Sequence, residues 1–183
     1  LYDDSNASGV NGDPDNDGRS DSGAAYVFQR EAGGWRPAAY LKASDPSAHD
    51  FFGSAVAISG DTLAIGAIRD GAMNAGPARS GVAYVFVRGA DGAWAQQQRL
   101  VASDAAAGDR FGASLSLSGD TLIVGAPRSG GERRGAVYVF ERRGAIWSEQ
   151  KRLAPATAVD DSTFGASLAA NLNTPFARAA RLG

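Results

Sequence analysis

The tetrapeptide Ala-Tyr-Val-Phe at residues 25–28 returns at residues 83–86, and Val-Tyr-Val-Phe follows at residues 137–140. Each copy precedes a tryptophan, and a leucine follows each tryptophan six residues later. These pairs are Trp35 and Leu41, Trp94 and Leu100, and Trp147 and Leu153. A Phe-Gly pair recurs as well, at residues 52–53, 111–112 and 164–165. Several markers in fixed order at a spacing of about 55 residues indicate repeated structural units.

Each unit is interpreted as four short strands. The first strand starts at Phe-Gly and alternates small with apolar residues, as in Gly-Ser-Ala-Val-Ala-Ile-Ser at residues 53–59. Gly-Asp at residues 60–61 and 119–120 lies between apolar runs, which is the signal of a two-residue hairpin. The Tyr-Val-Phe strand needs a cover on both sheet faces, because its large apolar residues are consecutive. The polar strand that contains the tryptophan is typical of an outer edge.

The sequence therefore predicts an all-β fold, an incomplete β-propeller of about three four-stranded antiparallel blades that is open at both ends. A β-sandwich would explain the strands but not the recurring register of the markers. A helical solenoid is excluded because no 3.6-residue period is sustained. A closed propeller typically has about four to eight blades. We therefore expect the remaining blades in a longer chain or in an oligomer.

The repeat also divides the chain. Residues 1–50 are predicted to form a partial first blade with an acidic loop and the outer strands, residues 51–109 the second blade, and residues 110–162 the third. Residues 163–183 begin a fourth blade but lose the pattern, because Leu172 and Asn173 replace Gly-Asp and Pro175 replaces a strand leucine. Proline disfavours a central strand. One hypothesis is that the chain is truncated or frameshifted near residue 170.

Phe-Gly at the start of the unit, with Gly-Ala-Pro at residues 125–127 after the second strand, resembles the FG-GAP repeat of integrin α-subunit propellers and their bacterial relatives. Gly-Ala-Ile at residues 66–68 departs from that motif. The resemblance implies an extracellular or surface-exposed propeller that binds ligands, with Ca²⁺ in some blades. Such calcium motifs have the form DxDxDGxxD and lie between the first and second strands of a blade.

Residues 13–21 match this calcium motif but lie one loop later, between the second and third strands. The pattern is rich in the oxygen ligands that Ca²⁺ takes, and Gly18 allows a sharp bend. The predicted ligands are the carboxylates of Asp13, Asp15, Asp17 and Asp21 and the backbone carbonyl of Arg19. The alternative is a solvated acidic loop in which Asn, Asp, Gly and Pro favour turns. In the family's own calcium loop this chain has only Asp61 and Asp120, which we interpret as turn formers.

Composition excludes several kinds of chemistry. The chain has no cysteine, so it has no disulfide and no zinc–thiolate site. Its one histidine, His49, cannot complete a histidine metal triad or a Ser-His-Asp triad. We interpret His49 as an exposed loop residue without a partner. The net charge is −2 without a basic stripe, and the apolar runs are short, so neither nucleic acid binding nor membrane insertion is expected.

The remaining acids recur in each unit. Asp45 and Asp104 share one position, and Asp50 and Asp109 share another, so we predict that all four cap turns. The regular tryptophans are predicted to pack one blade on the next. The basic segment at residues 128–135 is interpreted as a solvated turn.

From this resemblance we expect a non-catalytic, extracellular or surface-exposed FG-GAP module that is ligand-binding or adhesive, with a protein or glycan ligand at its inter-strand loops. The loop at residues 3–22 is the longest and most irregular, and we expect it to carry the binding. Two alternatives stay open. One is a structural spacer repeat of a larger surface protein, and the other is a fragment without independent function. An enzyme with catalytic residues in absent blades is the weakest hypothesis.

Overall fold

A computed structural model describes residues 3–69, 79–130, 133–157, 162–170 and 177–180. Within these residues, twelve strands form separate antiparallel sheets. The first sheet contains β1 (Ala25–Glu31) and β2 (Gly34–Leu41). The second contains β3 (Phe52–Ser59), β4 (Thr62–Ala67), β5 (Val82–Arg88) and β6 (Trp94–Leu100). The third contains β7 (Ser114–Ser118), β8 (Thr121–Ala126), β9 (Ala136–Arg143) and β10 (Ile146–Leu153), and the fourth β11 (Ser167–Ala170) and β12 (Ala177–Ala180).

The two complete sheets have the strand order of propeller blades. Sequence neighbours are hydrogen-bonded neighbours, in the orders β3-β4-β5-β6 and β7-β8-β9-β10. The described sheets do not close on one another. The predicted all-β, incomplete propeller of four-stranded antiparallel blades is therefore confirmed.

The fourth sheet is a hairpin in which Ser167 pairs with Ala180 and Ala170 pairs with Ala177. The residues at which the repeat pattern fails, Leu172, Asn173 and Pro175, lie outside the described residues. The predicted end of the strand at that proline therefore stays a prediction.

Tight hairpins connect the first and second strands of each complete blade. Gly60 and Gly119 have positive φ angles of 56° and 54°, which a glycine adopts without steric cost at the first turn position. Asp61 and Asp120 follow them in these turns, as predicted. The Nε–H of Arg88 donates to Asp61 over 2.8 Å, and that of Arg142 donates to Asp120 over 2.7 Å. A turn carboxylate is thus tied to the third strand in each blade.

The glycines of the Phe-Gly and Gly-Ala motifs lie where neighbouring blades meet backbone to backbone. A Cβ on Gly112 would lie 2.5 Å from the carbonyl oxygen of Val82, and one on Gly165 would lie 2.6 Å from that of Ala136. A Cβ on Gly66 would overlap the carbonyl oxygen of Gly112. Only glycine allows this approach, so the repeated glycines specify how blades dock.

Hydrophobic cores fill the spaces between successive blades. Between the first and second, Tyr84 and Phe86 are fully buried, and the ring of Phe52 lies 5.5 and 6.2 Å from theirs. Between the second and third, Phe111 lies 5.4 Å from Tyr138 and 6.0 Å from Phe140. These rings share a buried cluster with Leu41 of the first sheet and Leu100 of the second, respectively, and so pack a blade against the one before it.

The predicted packing role of the tryptophans holds for two of the three. Trp94 and Trp147 are buried, at 7% and 2% exposure, and the Trp147 Nε1–H donates to Gln97 of the preceding blade over 2.9 Å. For Trp35, which is 69% exposed, the prediction is wrong. Its face of the first sheet has no blade against it in the described chain. We call this surface, formed by Tyr26, Phe28 and Trp35, the bare face.

Candidate functional site

The long connections of the blades lie at one edge of the sheets, which we call the loop edge. Its described parts are residues 3–24, 42–51, 68–69, 79–81, 101–113, 127–130, 133–135, 154–157 and 162–166. Antiparallel strands alternate in direction, so the short hairpins, such as residues 60–61 and 119–120, lie at the opposite edge, which we call the hairpin edge. Binding residues concentrate on loops that a rigid scaffold positions. The loop edge is therefore the candidate site.

A buried ion pair fixes the loop at residues 3–22 to the first blade. Lys42 is fully buried, and its Nζ donates to Asp3 Oδ1 over 3.0 Å and to Ser22 Oγ over 2.6 Å. The Tyr40 hydroxyl donates to the same Asp3 oxygen over 3.0 Å. The Ser22 hydroxyl lies 2.9 Å from the carbonyl oxygen of Ser5. A lysine is rarely buried without such partners, so this network holds both ends of the loop.

The sequence contains a signal for this network, although we did not predict the ion pair from it. Lys42 follows Leu41, whereas Val101 follows Leu100 and Ala154 follows Leu153 in the next units. A cation at a repeat position that is otherwise apolar indicates a partner particular to that blade. The partner, Asp3, is distant in sequence, and only the fold brings the two together.

The network changes the acidity of its members. Burial acts to raise the pKa of Asp3, but hydrogen bonds from Lys42, Tyr40 and the Ser5 N–H outweigh it and hold that pKa below its usual value. Burial raises the pKa of Tyr26, and the Asp3 charge raises it further. Burial also raises the pKa of Tyr40. Asp3 is thus ionised and both phenols are neutral near pH 7.

The first three predicted calcium ligands lie on the exposed part of the loop. Asp13 accepts the N–H of Asp15 at its Oδ1 over 3.0 Å, and its carbonyl accepts the Ser5 hydroxyl over 2.7 Å. Asp13 therefore supports a local turn, which is the role that the alternative interpretation gives it. Asp15 and Asp17 are exposed.

The last two predicted ligands lie beside Asp4 and His49. The N–H of Arg19 donates to the Asp4 carbonyl over 2.6 Å, and the N–H of Asp21 donates to Asp4 Oδ1 over 2.7 Å. Asp21 Oδ2 lies 3.0 Å from His49 Nδ1. In the part of the chain that the structure describes, no three Asp, Glu, His or Cys side chains form a group able to hold a metal. In this arrangement the carboxylates do not converge, and calcium binding stays a prediction.

His49 has a partner, contrary to our interpretation of it as unpartnered. The ring of His49 contacts Asp21, and its backbone N–H donates to the Ser20 carbonyl over 2.7 Å. The connection between the first two blades therefore docks on the loop at residues 3–22. The sequence could not show this pair, because Asp21 and His49 belong to different loops.

The recurring aspartates divide into two roles. Asp50 and Asp109 cap turns as predicted, since they accept the N–H groups of Ser47 and Ala106 over 2.6 and 2.8 Å. Burial raises the pKa of Asp109.

Asp45 and Asp104 instead bind buried tyrosines of the following blade, so the prediction that they cap turns is corrected. They accept the hydroxyls of Tyr84 and Tyr138 over 2.8 and 2.6 Å and so help to satisfy these buried phenols. Burial and the Asp104 hydrogen bond raise the pKa of Tyr138 to about 12.

No helix within the described residues has the length and apolar character to cross a membrane.

A search of the curated proteins finds no significant match. The family model described as the FG-GAP repeat matches residues 35–86 and 94–140, which together make up more than half of the chain. These segments run from Trp35 in β2 to Phe86 in β5, and from Trp94 in β6 to Phe140 in β9. They include the blade-junction residues Phe52, Gly66, Phe111 and Gly112. The chain therefore belongs to the FG-GAP repeat family.

Proposed function

We propose that the chain is a non-catalytic binding or adhesion module of an extracellular or surface-exposed protein, and that its ligand, a protein or a glycan, binds at the loop edge. FG-GAP repeats typically occur in extracellular or surface proteins. The family is in general a non-enzymatic repeat module. Both statements support the proposal at the level of the family.

The observation that carries the proposal is the anchoring of residues 3–22. Ser5 and Ser22 at the two ends of the loop are fully buried, as is Lys42 beneath them, whereas Asp15 and Asp17 are exposed on the loop. A loop whose base is fixed loses less conformational entropy when it binds a ligand. An exposed surface on a fixed base is what a binding loop requires.

The test is capture of immobilised extracellular polysaccharides and matrix proteins by the chain. Asp15→Ala with Asp17→Ala should reduce capture while the melting temperature, measured without calcium, stays unchanged. Asp91→Ala with Glu141→Ala, which removes two exposed acids near the hairpin edge, is the charge-matched control. Equal capture by all three proteins, for every probe that binds, would contradict the role of this loop.

Calcium is a separate part of the proposal. The oxygen-rich spacing of Asp13, Asp15, Asp17 and Asp21 supports it, with the Arg19 carbonyl as a further ligand. To bind the ion, these residues would have to move together from their present positions, and Asp21 would exchange its contact with His49. The ion would then hold the exposed part of the loop in one conformation.

A second candidate role, as a structural repeat among further blades, is favoured by the bare face. Tyr26, Phe28 and Trp35 are 56%, 54% and 69% exposed, whereas the corresponding Tyr84, Phe86 and Trp94 are buried by the first blade. We propose that a further blade, from a longer chain or from another copy, covers the bare face as the first blade covers the second. Self-association in sedimentation that Trp35→Glu abolishes would support closure by copies. A strictly monomeric protein would exclude that form of closure.

A further inference from the structure

We propose that the cavity between residues 104–109 and residues 128–130, with Arg133 beside it, binds an anionic sugar residue, with arginines at its acidic group and aspartates at its hydroxyls. This inference rests on the proposed function in one respect, since both place a ligand at the loop edge. Its residues lie at the junction of the second and third blades and are separate from the loop at residues 3–22.

The cavity has the size of a small-ligand site. Its volume is about 460 Å³, and Asp104, Asp109, Arg128, Ser129 and Arg133 contribute polar groups to its walls. Pockets for small ligands commonly have volumes of about 300–1,000 Å³. The position is held by the backbone, because the N–H of Arg128 donates to the Asp109 carbonyl over 3.1 Å. The cavity therefore has room for a sugar residue and a fixed frame around it.

Positive charge gathers at one side of this cavity. Arg128 and Arg133 line it, and Arg110 directly follows Asp109. Burial lowers the pKa of Arg110, and the charges of Arg128, Arg69 and Arg133 lower it further. Within the described residues, none of Arg110, Arg128 and Arg133 forms an ion pair with another residue. An anion would relieve this repulsion, and guanidinium groups bind carboxylate or sulfate oxygens through paired N–H donors.

The preceding blade junction shows that this cationic cluster is not a requirement of the repeat. There, Arg69 occupies the position of Arg128, and its guanidinium lies over the ring of Phe51, 5.4 Å from the ring centre. Phe51 directly precedes the Phe-Gly pair at residues 52–53. At the next junction, the residue directly before the Phe-Gly pair is Arg110. A stabilising cation–π contact is thus replaced by two like charges, and a bound anion would reduce their mutual repulsion.

The two aspartates distinguish a sugar from a purely acidic ligand. Asp104 and Asp109 line the same cavity. Asp104 accepts the Tyr138 hydroxyl at Oδ1 and pairs with Arg152 at Oδ2 over 2.8 Å, and Asp109 accepts the Ala106 N–H. Each carboxylate oxygen has a further lone pair that can accept another hydrogen bond. Sugar hydroxyls donate to such oxygens, whereas the further carboxylates of an acidic peptide would be repelled by them. A uronic acid or a sulfated sugar presents both an anion and hydroxyls.

The experiment compares four probes by calorimetric titration at physiological salt. The probes are a galacturonate oligosaccharide, a heparin oligosaccharide, a neutral galactose oligosaccharide and a short polyglutamate peptide. The first two separate a carboxylate source from a sulfate source, and we expect at least one of them to bind while the neutral sugar and the peptide do not. Binding of neither anionic sugar, or equally tight binding of polyglutamate, would overturn the proposal.

Variants then locate the binding. Arg110→Gln with Arg128→Gln should weaken binding of the anionic sugar by about tenfold or more, as expected for the loss of charge-assisted hydrogen bonds. Arg30→Gln with Arg143→Gln removes the same charge from exposed positions near the hairpin edge and should change affinity less than about twofold. Equal weakening by both pairs would show non-specific attraction and overturn the site. The Asp15→Ala and Asp17→Ala variant should bind the sugar normally, which separates this site from the loop at residues 3–22.

Discussion

The Nζ of Lys42 lies 3.0 Å from Asp3 Oδ1, and Lys42 is fully buried. The two residues are 39 positions apart in the chain, and their contact ties the loop at residues 3–22 to the first blade.

Removal of Asp3 should destabilise the fold. Asp3→Ala leaves the Lys42 ammonium buried without its counter-charge, and we expect the free energy of unfolding to fall by about 3 kcal/mol or more. Denaturant titration measures this loss. Asp3→Ala with Lys42→Val, which places in the first blade the residue found at Val101, should recover much of it. A double variant as unstable as Asp3→Ala alone would contradict the ion pair.

The same pair predicts a dependence on pH. The folded-state pKa of Asp3 is lower than its unfolded value, so its contribution is fully present above about pH 5 and is lost as the pH falls through the folded pKa. In Asp3→Asn, the acid decline in melting temperature should therefore be shallower below about pH 4. Parallel curves for the two proteins across this acid range would count against the lowered pKa.

The glycines between blades should not tolerate a methyl group. A Cβ at Gly66 would overlap the Gly112 carbonyl, and we expect Gly66→Ala to lower the free energy of unfolding by about 3 kcal/mol. Gly33→Ala is the matched control, because neither glycine has a positive φ and a Cβ at Gly33 meets nothing within 4 Å. A similar cost for both substitutions would mean that blade docking does not depend on the Gly66 contact.

The tryptophans should differ in their contribution to stability. Trp147 is 2% exposed and hydrogen-bonded to Gln97, so Trp147→Ala should cost about 3–5 kcal/mol. Trp35→Ala removes a ring that is 69% exposed and should change stability by less than about 1 kcal/mol in the monomer. Chemical denaturation of dilute protein measures both. A large cost for Trp35→Ala in the monomer would contradict the exposure of the bare face.

Calcium binding should appear as stabilisation of the folded state. If residues 13–21 bind Ca²⁺, the ion will raise the melting temperature, since a ligand that binds only the folded protein stabilises it. Asp15→Ala with Asp17→Ala should remove that rise, whereas the control Asp91→Ala with Glu141→Ala should retain it. Equal melting temperatures of the unmodified protein with calcium and with chelator would reject the site.

The repeat made most of the architecture predictable. Consecutive large residues at Tyr84, Val85 and Phe86 require a strand covered on both faces, and Gly-Asp at residues 60–61 requires a tight turn. Both requirements are local, since they depend on side-chain period and turn chemistry, and the structure confirms both.

Much of the candidate site could not be predicted in this way. Two of its contacts, Asp3 with Lys42 and Asp21 with His49, join residues of different segments. No local sequence pattern predicts such contacts. The hydrogen bond that the Tyr84 hydroxyl donates to Asp45 likewise joins the second blade to the connection that precedes it.

The sequence by itself determined the strands, the turns and the four-stranded blade, because these follow from short-range periodicity repeated three times. The tertiary structure alone decided which face of the first blade stays bare, which loops share an edge, and that the charge of Arg128 acts on Arg110. These features depend on how whole blades dock. Blade docking brings together residues that are far apart in the chain, and their spacing along the sequence does not predict these contacts.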